Sequence, residues 1–158
     1  MVAASKGVTL IELMIVIAIV GISAAALIPL GTSWVAKTQV DKTQKLLVEA
    51  YSKAVTEAIK NPNGIRQTDT NSMVAKLTVA NGSGGAEGVI NVKASDESTV
   101  LWSAKYPAAV SIALGAPSGS TCAALELNNN AARISTTCTG EYTISRSGVS
   151  NVTVTAQF

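Results

Sequence analysis

Between Leu13 and Gly31 the sequence LMIVIAIVGISAAALIPLG carries a single polar side chain, Ser23. A run of this length can cross a bilayer as a helix, which takes about 20 residues. It has to be covered by lipid or by other chains, because no domain built from the remaining residues can enclose all of it. Lys6 is the only charge before Glu12, and positive charge on the short N-terminal side favours a cytoplasmic end. A secretory signal peptide is the first alternative, with ISAAALIPLG imitating a cleavage site. Two features oppose it: an acid, Glu12, at the start of the apolar run, and a helical pattern that continues past Pro29. A carboxylate at membrane depth costs several kcal/mol, in order of magnitude, unless it is paired or protonated. Glu12 is therefore either an acid tolerated near the interface or half of a pair. Cleavage between Gly7 and Val8 would supply a partner, an α-amine about one helical turn from Glu12 on the same chain or on a neighbour.

Past the apolar run, Val40, Leu47, Tyr51, Ala54 and Ala58 recur at helical spacing, and Leu46, Ala50 and Val55 widen the stripe. Lys37, Asp41, Lys42, Lys45, Glu49, Lys53, Glu57 and Lys60 mostly occupy other faces, alternating in sign as a solvated face does. Pro62, within NPNG, stops the helix. One helix from Val8 to Lys60 would be roughly 80 Å long at about 1.5 Å per residue, too long to be buried within a 16.1 kDa chain. The expected division is a membrane or packing half and a stalk half lying on a head domain. Gly21 and Pro29 are weak points. Proline removes a donor and crowds the carbonyl four residues earlier, and glycine costs about 1 kcal/mol against alanine. They predict either a gentle kink or a segment that loses its helical hydrogen bonds on packing.

After Pro62 the texture becomes short β-type runs: GVINVK, STVLWSA, AAVSIAL, AALEL, ARIST, EYTIS and NVTVTAQF. NGSGGAEG, GAPSGS and NNN separate them, and the segment around Met73–Leu77 fits either helix or strand. The expectation is an α+β fold, with one antiparallel sheet of four or more strands packed on the helix stripe. The Gly-rich 81–88 stretch lacks the ending of a phosphate loop and reads as a surface loop. Asn81-Gly82-Ser83 and Asn151-Val152-Thr153 fit the N-glycosylation pattern by chance. Cys122 and Cys138 flank the Asn128–Asn130 turn, and two strands joined there would bring them together. A bridge would imply an oxidising compartment, and two free buried cysteines are the alternative.

Composition removes most catalytic classes. There is no histidine, so Ser-His-Asp, Cys-His and His-based metal sites are excluded. The acids do not cluster, and no catalytic residue, metal ligand or cofactor site is expected. Net charge is +2. After Lys105 the only basic residues are Arg133 and Arg146, balanced by Glu126 and Glu141, so DNA binding is not expected.

GVTLIELMIVIAIVGISAAALIP closely resembles the N-terminus of class III prepilins, the type IV pilins and the pseudopilins of type II secretion. The shared pattern is Gly7 before an apolar residue, Thr9-Leu10-Ile11-Glu12-Leu13, the long apolar run and Pro29. It departs at Val8, where phenylalanine is commonest. The resemblance implies a leader at 1–7, short as in type IVa pilins, and an N-terminal helix at 8–61. Within that helix 8–31 would be the transmembrane segment and filament core, and 32–61 the stalk. A β-rich head would follow at 62–158, with a disulfide loop at 122–138. A prepilin peptidase would cut after Gly7 and N-methylate Val8. Glu12, with Thr9 beside it, would serve assembly by neutralising the terminal amine of an adjacent subunit, and Gly21 and Pro29 would mark a helix break in the filament. The implied partners are other pilins, the peptidase, the inner-membrane assembly platform and, before assembly, the inner membrane itself. The implied location is an extracellular pilus or a periplasmic pseudopilus of a Gram-negative bacterium. LVEAYSKAVTEAIKNPNG and the later YPAAVSIAL and LELNNNAARIS faintly resemble minor pilins of the FimT/FimU/GspH group. The reading is a structural pilus subunit and not an enzyme, with a pseudopilin as the alternative and a minor pilin acting in DNA uptake as a lesser one.

Overall fold

Helix α1 (Leu10–Lys60) supplies the axis on which everything else is built. The computed structural model describes residues 7–66, 68–115, 121–134, 138–148 and 151–158, excepting the side chains at 26–30 and 121. Residues 1–6 of the expected leader at 1–7, most of the GAPSGS break and part of ARIST lie outside the described residues. Ala36, Val40, Thr43, Leu47, Ala50, Ala54 and Ala58 are all fully buried. They recur at three and four residues and so lie on one face. Tyr51, Leu46 and Val55 flank this stripe instead of centring it. The helix stops as Pro62 requires. Asn61 takes the left-handed conformation at φ 46°, and its N–H bonds the Ala58 carbonyl. The Asn61 amide then donates to the Ile65 carbonyl at 2.7 Å, and its oxygen accepts from the Ile65 N–H at 2.9 Å.

Among the described residues eight strands follow: β1 (Ala75–Ala80), β2 (Gly88–Ala94), β3 (Val100–Tyr106), β4 (Val110–Gly115), β5 (Thr121–Cys122), β6 (Ala124–Leu127), β7 (Glu141–Arg146) and β8 (Val152–Gln157). They form two four-stranded antiparallel sheets, ordered β3-β2-β1-β6 and β5-β4-β7-β8, where a single sheet was expected. Pro107, directly after β3, explains part of the difference. It has no N–H to continue a ladder, and its carbonyl accepts from Val110 N–H in a turn that leads β4 away. The ambiguous segment at 73–77 enters β1. ARIST forms no strand among the described residues, contributing one bridge from Arg133 to Leu127. Period-2 alternation turns Leu77, Ile90, Val92, Leu125 and Leu127 of the first sheet, and Ile112, Leu114, Tyr142 and Ile144 of the second, into one core against α1.

A side chain joins the sheets. The Asn81 oxygen accepts from the Ile112 N–H at 2.8 Å, and its amide donates to the Ile112 carbonyl at 2.9 Å. This is the exchange a paired strand residue would make. The Tyr106 hydroxyl also donates to that oxygen, at 2.7 Å, and burial pushes the phenol up to about 12. The Asn81 amide is thus committed to structure, which disposes of its chance glycosylation pattern. Gly88 is required on the same side, because a Cβ there would fall 2.2 Å from the Tyr106 ring.

The second sheet is tied to the helix by polar and aromatic contacts. Arg146 Nε donates to Gln39 Oε1 at 2.8 Å, and Gln44 Nε2 donates to the Tyr142 hydroxyl at 3.2 Å. Phe158 stacks on Tyr51 with ring centroids 4.4 Å apart and also meets Tyr142. Beyond the helix, the β2–β3 turn is held by Asp96, whose carboxylate accepts from the Thr99 hydroxyl and N–H and from Ser98. These bonds, led by the Thr99 hydroxyl, hold its carboxyl down at about 2.

Cys122 and Cys138 are bridged, with Cα atoms 5.6 Å apart. The bridge encloses the Asn128–Ala131 turn, and that turn reaches back to the connection after α1. The Asn128 amide donates to Thr70 O, and the Asn129 amide donates to Ile65 O and Arg66 O. Removing the bridge by Cys122→Ser/Cys138→Ser should lower stability by about 2–5 kcal/mol, measured by chemical denaturation of the full chain in detergent. An unchanged midpoint would contradict this account. Asn81→Leu should cost about 1–3 kcal/mol, because it strands the buried backbone groups of Ile112 and the Tyr106 hydroxyl. Hydrogen exchange at the Ile112 amide should rise with it.

Candidate assembly segment

The sequence TLIE spells a helix start. Thr9 is the N-cap, with extended backbone at φ −78° and ψ 151°, and its hydroxyl accepts from the Glu12 N–H at 3.3 Å. The same hydroxyl is oriented toward the Glu12 carboxylate, at 3.5 Å. A serine or threonine cap with an acid three residues on is the capping-box spacing. Here the acid bonds the cap's side chain and not its N–H. Glu12 also suits the positive end of the helix dipole. This local role was missed at the sequence level, although T-x-x-E before an apolar run is its signature. Among the described residues Glu12 makes no ion pair, and it is exposed.

Around this acid, residues 7–25 are all exposed. Val8, Leu10 and Ile22 are 73%, 77% and 75% exposed, and Ile11, Met14, Ile15, Val16, Ile17, Ile19 and Val20 are exposed as well. Contiguous apolar surface on this scale marks an interaction or membrane surface. Among the described residues no helix is long and apolar enough to cross a membrane. The expected span at 8–31 runs through 26–30, whose side chains lie outside the description. The Ser23 hydroxyl donates to the Ile19 carbonyl at 2.8 Å, so the one polar side chain in the run is satisfied within the helix.

Gly7 and Val8 precede the cap in non-helical backbone. A Cβ added at Gly7 would meet nothing within 4 Å, and the same is true at Gly21. The fold of one chain does not require glycine at either place. In the single chain α1 is continuous through Gly21 and Pro29, the positions expected to mark a helix break in the filament. Segment 7–12 and the Cys122–Cys138 bridge belong to different parts of the fold. The first sits on the uncovered end of α1 and the second within the β-rich head.

The basic side chains of the C-terminal half do not form a patch. Arg146 is engaged by Gln39. Arg133 lies over Gly140, a residue at φ +80° where a Cβ would collide with the guanidinium. No group of three or more His, Cys, Asp or Glu side chains capable of holding a metal occurs among the described residues.

Comparison with known proteins agrees with the N-terminal pattern. A family model described as the prokaryotic N-terminal methylation motif matches residues 3–28. A type IV major pilin protein, PilE1, of Neisseria gonorrhoeae is 36% identical over 71% of this chain and 58% of its own length. A fimbrial protein of Neisseria meningitidis is 47% identical over 46% of this chain and 42% of its own. A type IV major pilin protein, PilE, of Neisseria gonorrhoeae is 51% identical over 42% and 39%. The chain thus spans between about two-fifths and three-fifths of these relatives. No solved structure matches it significantly. Long capped helix, antiparallel head, methylation motif and pilin relatives converge: the chain belongs to the type IV pilin, or class III prepilin, superfamily.

Proposed function

We propose that this chain is a structural subunit of a type IV pilus, working by assembly and without a catalytic site. The observation that carries the proposal is the uncovered half of α1, an apolar surface with one carboxylate that only its own cap engages. Such a surface is stable in two settings, lipid and a bundle of like helices, and a filament subunit passes from the first to the second. The precursor is held in the inner membrane of a Gram-negative bacterium by its apolar segment, cut after Gly7 by a prepilin peptidase, N-methylated at Val8 and passed to an assembly platform. It then resides in an extracellular fibre with other pilins. The named relatives, major pilins and fimbrial proteins, support this reading. No observation favours a pseudopilin, a FimT-like minor pilin or a role in DNA uptake.

In this reading Glu12 serves docking. Alone in an apolar medium it is costly, and beside a neighbour's terminal ammonium it is compensated, so it favours the docked state over the free one. Gly21 and Pro29 give the helix a place to lengthen on packing, which fits a glycine that the isolated fold does not require. Melting there would free carbonyls that intact helix keeps paired.

Glu12→Val should leave membrane level and cleavage near normal and sharply reduce incorporation. Removing one partner of a poorly solvated charge pair typically costs about 3–5 kcal/mol. Membrane fractionation with quantitation of sheared filaments measures all three, and incorporation at the parent level would refute the docking role. Gly7→Arg should leave the chain at precursor mass in the membrane fraction. Mass spectrometry of filaments from the parent chain should find methyl-Val8 as the first residue.

A further inference from the structure

One cavity lies well away from the assembly segment. It is a groove of about 260 Å³ between the last turns of α1 and the β2–β3 hairpin, lined by Lys53, Thr56, Glu57, Lys60, Leu101 and Trp102. Its walls divide chemically. Leu101 and Trp102 form an apolar side, with Leu101 41% exposed and Trp102 half-buried.

The helix side is polar, and its groups differ in what they can still accept. Lys60 is paired with Glu57 at 3.1 Å. Lys53 makes no ion pair among the described residues and keeps its charge unmatched at the rim. The Thr56 hydroxyl spends its proton on the Ser52 carbonyl at 2.7 Å, so it faces a ligand as an acceptor. Glu57 offers only acceptors while ionised.

This set asks for three things in one small molecule: a single negative charge for Lys53, hydroxyl donors for Thr56 and Glu57, and a C–H face for Trp102 and Leu101. A fatty acid or a peptide terminus lacks the hydroxyls. A phosphate ester places more than one negative charge beside Glu57, in a site whose own net charge is +1. We propose that the groove between the end of α1 and β3 binds an acidic saccharide of the hexuronic type, its carboxylate on Lys53 and its apolar ring face on Trp102. The proposal is independent of the filament reading, because the groove belongs to one chain.

The chain has two tryptophans, Trp34 and Trp102. Trp34→Phe, at a 71% exposed position, leaves Trp102 as the sole reporter. Full-length Trp34→Phe protein in detergent is titrated with sodium D-glucuronate, with D-glucose and with sodium acetate, while Trp102 emission is followed. Glucuronate should give a saturable change with a Kd on the order of millimolar, and glucose and acetate should each bind about five- to tenfold more weakly, as loss of one charge-assisted hydrogen bond or one apolar face implies. Lys53→Gln should weaken glucuronate by a similar factor with thermal unfolding unchanged, and Lys45→Gln, an exposed lysine outside the groove, should not. The proposal is overturned by a flat or non-saturating response, by acetate or glucose matching glucuronate, or by equal effects of the two lysine substitutions.

Discussion

One stripe of one helix organises this molecule. Ala36, Val40, Thr43, Leu47, Ala50, Ala54 and Ala58 vanish against two sheets, while residues 10–25 of the same helix are exposed. A helix this long has two possible fates for each half, and the sequence assigns them by side-chain size. Small residues at the buried positions let strands approach the helix backbone. The β-branched and leucine-rich run offers bulky apolar surface with no complement in the head. Even the buried threonine conforms, its hydroxyl donating to the Gln39 carbonyl so that the stripe carries no unmatched donor.

The division also explains why polar chemistry is spent where it is. In the head, amide side chains act as joints: Asn81 between the sheets, Gln39 and Gln44 between helix and second sheet, and the buried Asn128 and Asn129 between the disulfide-enclosed turn and the connection after α1. Hydrophobic burial is non-directional and would accept several arrangements of two small sheets on a helix. The amide joints select one, because each would leave a stranded donor or acceptor in any other. Between Leu10 and Gly31, polarity is reduced to Ser23, satisfied internally, and Glu12, held by its cap.

Much of this was legible in the sequence, for identifiable reasons. The helix and its end followed from stripe spacing and Pro62. Seven of the eight strands fell in runs of alternation or β-branching, or in the ambiguous 73–77 segment, because period-2 burial leaves a trace in composition. The cysteine pairing followed from the turn between the two residues. The sheet arrangement was not legible. The division into two sheets depends on Pro107 redirecting the chain and on a side chain, Asn81, standing in for a strand; hydrophobic periodicity is blind to both. The continuity of α1 through Gly21 and Pro29 was read from the helical pattern that continues past Pro29; it holds against residue propensity because a proline within a long helix lacks only one bond and the turns on either side hold the rest. The groove beside Trp102 was equally hidden, because it joins residues of the helix to residues about fifty positions later.

The buried stripe has a mechanical side. Because α1 runs continuously from its free end across both sheets, an axial pull on the free half reaches the head as shear along the helix. Shear loads the alanine contacts, the Gln39–Arg146 and Gln44–Tyr142 bonds and the Tyr51–Phe158 stack together. Peeling would load them one after another. Beyond them the left-handed Asn61 and its double bond to Ile65 close the far end, so the connection after the helix begins from a fixed corner. A head mounted in this way transmits tension as a rivet line does, with no single contact carrying the load.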